Sequence, residues 1–238
     1  MSTFQKMVWL VLVTLLTTST QAQRASMPAA DRADSRTLAV QRKVDDLFER
    51  GEFERAFFIY RNELAPVGDK YAQYMVGYMH LVGKGTDENP VVASAWYRLA
   101  AERGTPEFMA VRDQLMRDLQ ADERRRSDFE YLRLRHEYSD LAILMDSILD
   151  RARELNRVSR PRLAPENSSL NVVLEAQGPA VSRSGREYTE WLRKDLKRRL
   201  STLSRLGNFP DLETDPDKAN YAEIDDRVRA TIESTPVN

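Results

Sequence analysis

The residues able to do chemistry at neutral pH are few. The chain of 238 residues holds two histidines, His80 and His136, and no cysteine. Without cysteine there is no thiolate nucleophile, no disulfide, no thiolate zinc site, no iron–sulfur cluster and no lipid-modified N-terminal thiol. Neither histidine stands in a His-x-x-x-His pair, and no Gly-x-Ser-x-Gly elbow occurs. The nearest approach to a phosphate loop is Gly83-Lys84-Gly85, which lacks the spacing that lets backbone amides cradle a phosphate. Catalysis needs a nucleophile with its base, a tuned carboxylate pair or a metal. The sequence therefore predicts no catalytic residue, no metal and no cofactor. A carboxylate pair assembled by folding stays open, which leaves a second reading: a cell-wall-binding or hydrolytic module using acids on the C-terminal helices.

Charge narrows the partners. Lys and Arg number 36 against 37 Asp and Glu, a net charge of −1. No basic footprint for nucleic acid is present, and none is expected as a partner.

The elements that must position any site are helical. Six of the nine glycines lie between Gly51 and Gly104, and Pro161, Pro165 and Pro179 cluster further on. Leu38 to Arg50 is in helical register and stops at Gly51. Phe53, Ala56, Phe57 and Tyr60 then recur at i, i+3, i+4 and i+7, the stripe of an amphipathic helix. A second hairpin follows, from Tyr71 to Val82 and from Pro90 to Arg103, with Asn89 as the cap before Pro90. Pro106 opens another helix carrying Phe108, Val111, Leu115 and Leu119 on one side. The only strand candidate is Leu170 to Leu174.

The second hairpin is specific enough to compare with a family. From Ala72 to Gly104 the chain reads AQYMVGYMHLVGKGTDENPVVASAWYRLAAERG. It resembles a Sel-one-like repeat, a branch of the tetratricopeptide superfamily. The resemblance rests on Ala72, Val76-Gly77, His80, Gly83, Gly85, Ala93, Trp96-Tyr97, Ala100-Ala101 and Gly104. His80 stands where the family usually has Tyr, Thr86 where it has Val, and Asn89 where it has Asp. In physical terms Gly77 and Ala93 permit close helix approach, Trp96 fills the wedge between the helices, and the loop glycines allow a tight reversal. The resemblance implies an all-α fold, a short α-solenoid of stacked hairpins over 37–120, and an interaction adaptor or scaffold with an unknown protein or peptide partner. Stacked hairpins offer a concave face lined by first helices, which places Gln73, Tyr74, Tyr78 and Leu81 as candidate binding residues. The alternative for the two tyrosines is packing between repeats. Some secreted, cysteine-rich relatives have been linked to peptidoglycan or β-lactam chemistry; the missing cysteines weaken that transfer.

A solenoid needs about three units to bury its faces, so the rest of the chain must cap the array. Residues 121–158 are expected as a long helix, with Leu134, Leu141, Ile148 and Leu155 in one row and Tyr138, Met145 and Ala152 in another. That 134–155 seam packs against the chain itself or forms a homodimer. A Pro-rich linker, 159–185, precedes a helix from Arg186 to Leu206 with Tyr188, Leu192, Leu196, Leu200 and Leu203 on one face. Its other face is basic, and Asp211 to Glu233 carries eight acids. Contact of the basic face with a membrane surface is the alternative to pairing with that acidic tail in the 186–238 segment. At the N-terminus, Lys6, an apolar run from Met7 to Leu16 and Thr20-Gln21-Ala22 fit a signal peptide, 1–22, cut after Ala22. Ten apolar residues fall short of the roughly 20 a spanning helix needs. Residues 23–36 read as a flexible linker, and the mature protein is expected in a bacterial periplasm. Asn167-Ser168-Ser169 matches a glycosylation acceptor and is taken as coincidence.

Overall fold

The computed structural model describes residues 35–159, 171–174 and 181–234. The signal segment 1–22, the linker up to residue 34 and the acceptor at Asn167 lie outside the described residues. Among the described residues the fold is all-α apart from one short ribbon, in which β1 (Asn171–Leu174) pairs antiparallel with β2 (Val181–Ser184), Asn171 opposite Ser184. Both strands fall within the stretch read as a Pro-rich linker.

Three hairpins come first. Helix α1 (Ser35–Glu49) turns at Gly51 into α2 (Phe53–Ile59), which runs on through a π-turn, Tyr60–Leu64, and a 3-10 turn, Ala65–Val67. Helix α3 (Lys70–Val82) begins where Asp69 accepts a hydrogen bond from the Ala72 amide at 3.0 Å. Helix α4 (Pro90–Ala100) begins at Asn89, which accepts from Val92 N at 3.1 Å, as the sequence leads one to expect. Helices α5 (Pro106–Asp118) and α6 (Ala121–Tyr138) form the third hairpin. Phe108, Val111, Leu115 and Leu119 are all buried. The first half of α6 lies along α4, joined by Ser94 Oγ and Ser127 Oγ at 2.5 Å and by Arg98 to Asp128 at 2.8 Å. The stacked array therefore reaches Tyr138 rather than ending at residue 120, because the exposed face of α4 needs α6 to cover it.

The single long helix expected over 121–158 is two helices. Tyr138 ends α6, Ser139 is extended, and α7 (Asp140–Val158) starts with Ser139 Oγ accepting from the Ala142 amide at 3.2 Å. Ser followed by Asp is an N-cap with an acid in the first turn, a start signal strong enough to divide the heptad rows. The seam divides with it. Leu134 joins the core of the hairpins. Met145, Ile148, Ala152 and Leu155 join a second core built with α8 (Gly185–Leu206) and α9 (Tyr221–Ser234). The proposed dimer seam is thus spent on packing within the chain. The acidic tail is also more than a tail. Ile224, Val228 and Ile232 recur every fourth residue along α9 and are buried against the bundle.

A polar junction joins the two cores. Lys70, 6% exposed, donates to Glu102 at 2.7 Å and pairs with Asp140 at 3.2 Å. Arg103 grips both oxygens of Asp140 at 2.9 Å. Burial opposes ionisation of Asp140, but Lys70 and Arg103 outweigh it and hold the carboxyl below its ordinary value. Gln73 Nε2 donates to the carbonyl of Tyr138 at 3.0 Å, the last residue of α6. Removing one partner of such a buried pair leaves an uncompensated charge in the junction.

Candidate functional site

The α3 face expected to bind a partner is closed. Gln73 and Tyr74 have no exposed surface, Tyr78 is 4% exposed and Leu81 8%. These four residues are core and cannot form an open docking face. Tyr74 stacks on Phe108 of α5 with ring centroids 5.0 Å apart and meets Tyr97 at 5.1 Å. Burial raises its phenol far above the ordinary value, and the nearby Tyr71 and Tyr78 add to this. Gln73 serves the junction between the two cores. The cause is the number of hairpins. A long superhelix keeps its first-helix surface open, whereas here the π-turn after α2, α5 and the end of α6 close around α3.

Trp96 and Tyr97 exchange the roles expected of them. A Cβ at Gly77 would lie 2.9 Å from Cδ1 of Tyr97 and 3.2 Å from the Ala93 carbonyl, so Gly77 and Ala93 are the close approach of α3 and α4. The ring filling that approach is Tyr97. Trp96 points the other way, towards Tyr138 at the end of α6, with centroids 4.8 Å apart. The two aromatic neighbours thus bind successive layers. Ala72 and Ala100 are fully buried in the same core. Gly85, at φ +72°, brings the loop against the backbone of the preceding hairpin, where a Cβ would fall onto the Phe53 carbonyl. Lys84 closes that contact from above, 4.6 Å from the Phe53 ring centroid. The loop that looked most like a phosphate cradle is therefore a packing surface.

Most of the remaining chemistry-bearing groups are taken up by packing or ion pairs. His80 packs edge-on against Phe57 at 5.2 Å, and burial lowers its pKa despite the opposing pull of Asp87. His136 is exposed. Of the acids on the C-terminal helices, Asp195 accepts from Arg198 and Arg199 at 2.5 and 2.7 Å. Burial opposes its ionisation, but these guanidinium groups outweigh burial and depress its pKa. Asp217 takes Arg193 at 3.0 Å, so the basic helix does meet the acidic stretch. Asp211 pairs with Arg227 at 2.8 Å and Asp225 with Arg229 at 3.0 Å. Carboxylates held this way are poor proton donors. Asp146 is the exception, raised by partial burial and by Asp225 beside it, but it lines neither of the grooves at Phe58 and Phe129. Among the described residues no group of three or more His, Asp or Glu could hold a metal ion, and no helix is long and apolar enough to cross a membrane.

Among the described residues, two shallow grooves lie open on the array, each beside an exposed phenylalanine. One lies between α1 and α2, lined by Lys43, Glu54, Arg55, Phe58, Ile59 and Glu63, with a volume of about 360 Å³. The other, about 530 Å³, lies between the start of α4 and the first half of α6 and includes Val91, Val92, Arg125, Arg126 and Phe129. Phe58 is 60% exposed and Phe129 68%, the most exposed large apolar side chains among the described residues. The sequence marks neither by a motif. The signal available was their position: Phe58 falls just off the stripe through Phe53, Ala56, Phe57 and Tyr60, and Phe129 stands in a run of charges.

Comparison with known proteins agrees with this anatomy over one segment. The family model of the Sel1 repeat matches residues 70–105, which spans α3, α4 and the glycine that ends them. No characterised protein and no solved structure matches the chain. The hairpin of α3 and α4, with Gly77 against Tyr97 and its loop glycines turning at positive φ, is the part of the chain that matches the Sel1 repeat.

Proposed function

We propose that this protein is a non-catalytic interaction adaptor of the cell envelope, exported to a bacterial periplasm. The observation that carries the reading is a Sel1 repeat built into a three-hairpin array, a type of module that mediates protein–protein contact. With α3 sealed, the partner surface falls to the groove at Phe58. An exposed aromatic ring between side chains of both signs is the composition of a small binding hot spot with a polar rim. Such a surface suits a protein segment presenting an apolar anchor flanked by charges. Export rests on Lys6, the run Met7–Leu16 and Ala22.

A photo-crosslinker at position 58, introduced in living cells, tests the docking reading. One dominant adduct is expected, lost when unlabelled chain is supplied in excess and retained when that competitor carries Phe58→Glu. Adducts no more frequent than from a crosslinker at Arg153, an exposed control position on α7, would overturn it. For export, N-terminal sequencing of the purified protein is expected to begin at Gln23; an intact Met1 in a cytoplasmic fraction would refute it.

A further inference from the structure

His80 stands in the seam between the first hairpin and the repeat. Its ring meets Phe57 of α2 with centroids 5.2 Å apart. The same seam holds Phe48 against Tyr78 at 6.2 Å and Tyr60 against Tyr71 at 6.5 Å. Nδ1 of His80 is buried and has no hydrogen-bond partner among the described residues. In a neutral imidazole that nitrogen is an acceptor left idle. A proton on it would put a buried N–H without an acceptor, and a full charge, into the packing between two hairpins. We propose that His80 is an acid-sensitive latch: its protonation loosens the first hairpin from the repeat and uncovers the α3 face at Tyr78.

The charges around the ring do not undo that cost. Burial disfavours the charged form most, and Arg61 in the π-turn after α2 adds to it. Asp87, in the loop between α3 and α4, pulls the other way through its carboxylate and a backbone hydrogen bond, without reversing the balance. His80 also lies in the last turn of α3, where free carbonyls attract a cation. Here the carbonyls of Met79 and His80 are taken by the Lys84 and Asn89 amides at 3.0 and 2.7 Å. The second of these bonds ties His80 to the cap of α4. An opened seam returns the imidazole to water and to its ordinary value of 6.5. The closed form therefore keeps its full stability above that value and loses it as pH falls towards the lower value of the packed ring. At about pH 5 a solvated imidazole is about 30 times more often charged than neutral, so the opened population is expected to rise about tenfold. The carboxyls of Asp140 and Asp195 titrate below this range. The latch does not depend on the adaptor reading, on which the crosslinks from position 58 report separately.

Amide hydrogen exchange of the full chain, corrected for the intrinsic rate and compared at about pH 7.5 and about pH 5, reads such local opening directly. Protection in α2 and in the loop from Gly83 to Asn89 is expected to fall about tenfold in acid, while α7 to α9 hold theirs. His80→Tyr keeps a ring of similar reach that stays neutral over this range, and is expected to abolish the fall; His136→Gln, at the exposed histidine, is expected to leave it intact. A second measurement on the parent chain needs no variant. The chain has only two histidines, so their imidazole resonances are resolved in one titration, with His80 expected to take its proton at lower pH than His136. Protection lost equally throughout the chain, or a fall that persists in His80→Tyr, would overturn the inference. So would a His80 that titrates with His136 or above it.

Discussion

The two cores of this protein solve the same problem by different means. In the array, large rings meet glycine and alanine at fixed places: Tyr97 over Gly77, Tyr74 on Phe108, Trp96 on Tyr138. In the bundle, Leu192, Leu196, Leu200 and Leu203 face Met145, Ile148, Ala152 and Leu155, aliphatic against aliphatic. A ring that fits only where a partner lacks a side chain constrains both positions at once. A leucine layer accepts many neighbours of similar volume. The first kind of core writes a recognisable pattern into the sequence, and the match to the Sel1 repeat falls there; the second leaves only a periodicity. Between them the charged junction at Lys70 does what neither core does, tying the end of one to the start of the other.

The contrast can be broken by substitution, with thermal or denaturant unfolding as the measure. Trp96→Ala removes the ring that joins the repeat to the next layer and is expected to cost about 3–5 kcal/mol. Leu196→Met, at an equally buried place in the bundle, is expected to cost less than about 1.5 kcal/mol. Equal losses at the two positions would erase the distinction between the cores.

Lys70→Met leaves Glu102 and Asp140 short of their cation and is expected to cost about 3 kcal/mol, with the two cores melting in separate transitions rather than together. Gly85→Ala and Gly104→Ala sharpen the point within the repeat. Both glycines have φ +72°, but a Cβ at Gly85 meets backbone of the neighbouring hairpin, whereas nothing lies within 4 Å of one at Gly104. The first is expected to cost about 3 kcal/mol and the second about 1 kcal/mol.

Acid adds a smaller test. Asp140 and Asp195 have carboxyls held below the ordinary value by their arginine and lysine partners. A depressed folded pKa contributes stability that is complete above the unfolded value and is lost as pH falls through the folded one. Stability is therefore expected to decline below about pH 4, and Asp140→Asn or Asp195→Asn to flatten that decline. A slope unchanged by either would show that other groups carry it.

Much of the architecture was legible before any coordinates. The αL glycines, the Asn89 cap, the stripe of α2 and the leucine face of α8 each follow from local rules that act within one or two turns. The break at Ser139 is written as a Ser-Asp start signal, but the apolar rows continue across it in the sequence and mask it. Helix α9 is masked in the sequence by the acids interleaved with Ile224, Val228 and Ile232.

The candidate site was least legible, for a physical reason. Residue types and spacing set which side of α3 is apolar, which glycines turn and that no thiol chemistry is available. Whether an apolar side is open or covered depends on what lies next to it, and that is settled by contacts between residues far apart in the chain. Tyr74 meets Phe108 and Gln73 reaches Tyr138 only once three hairpins have closed on one another. The same closure that buried the expected docking face left Phe58 and Phe129 outside.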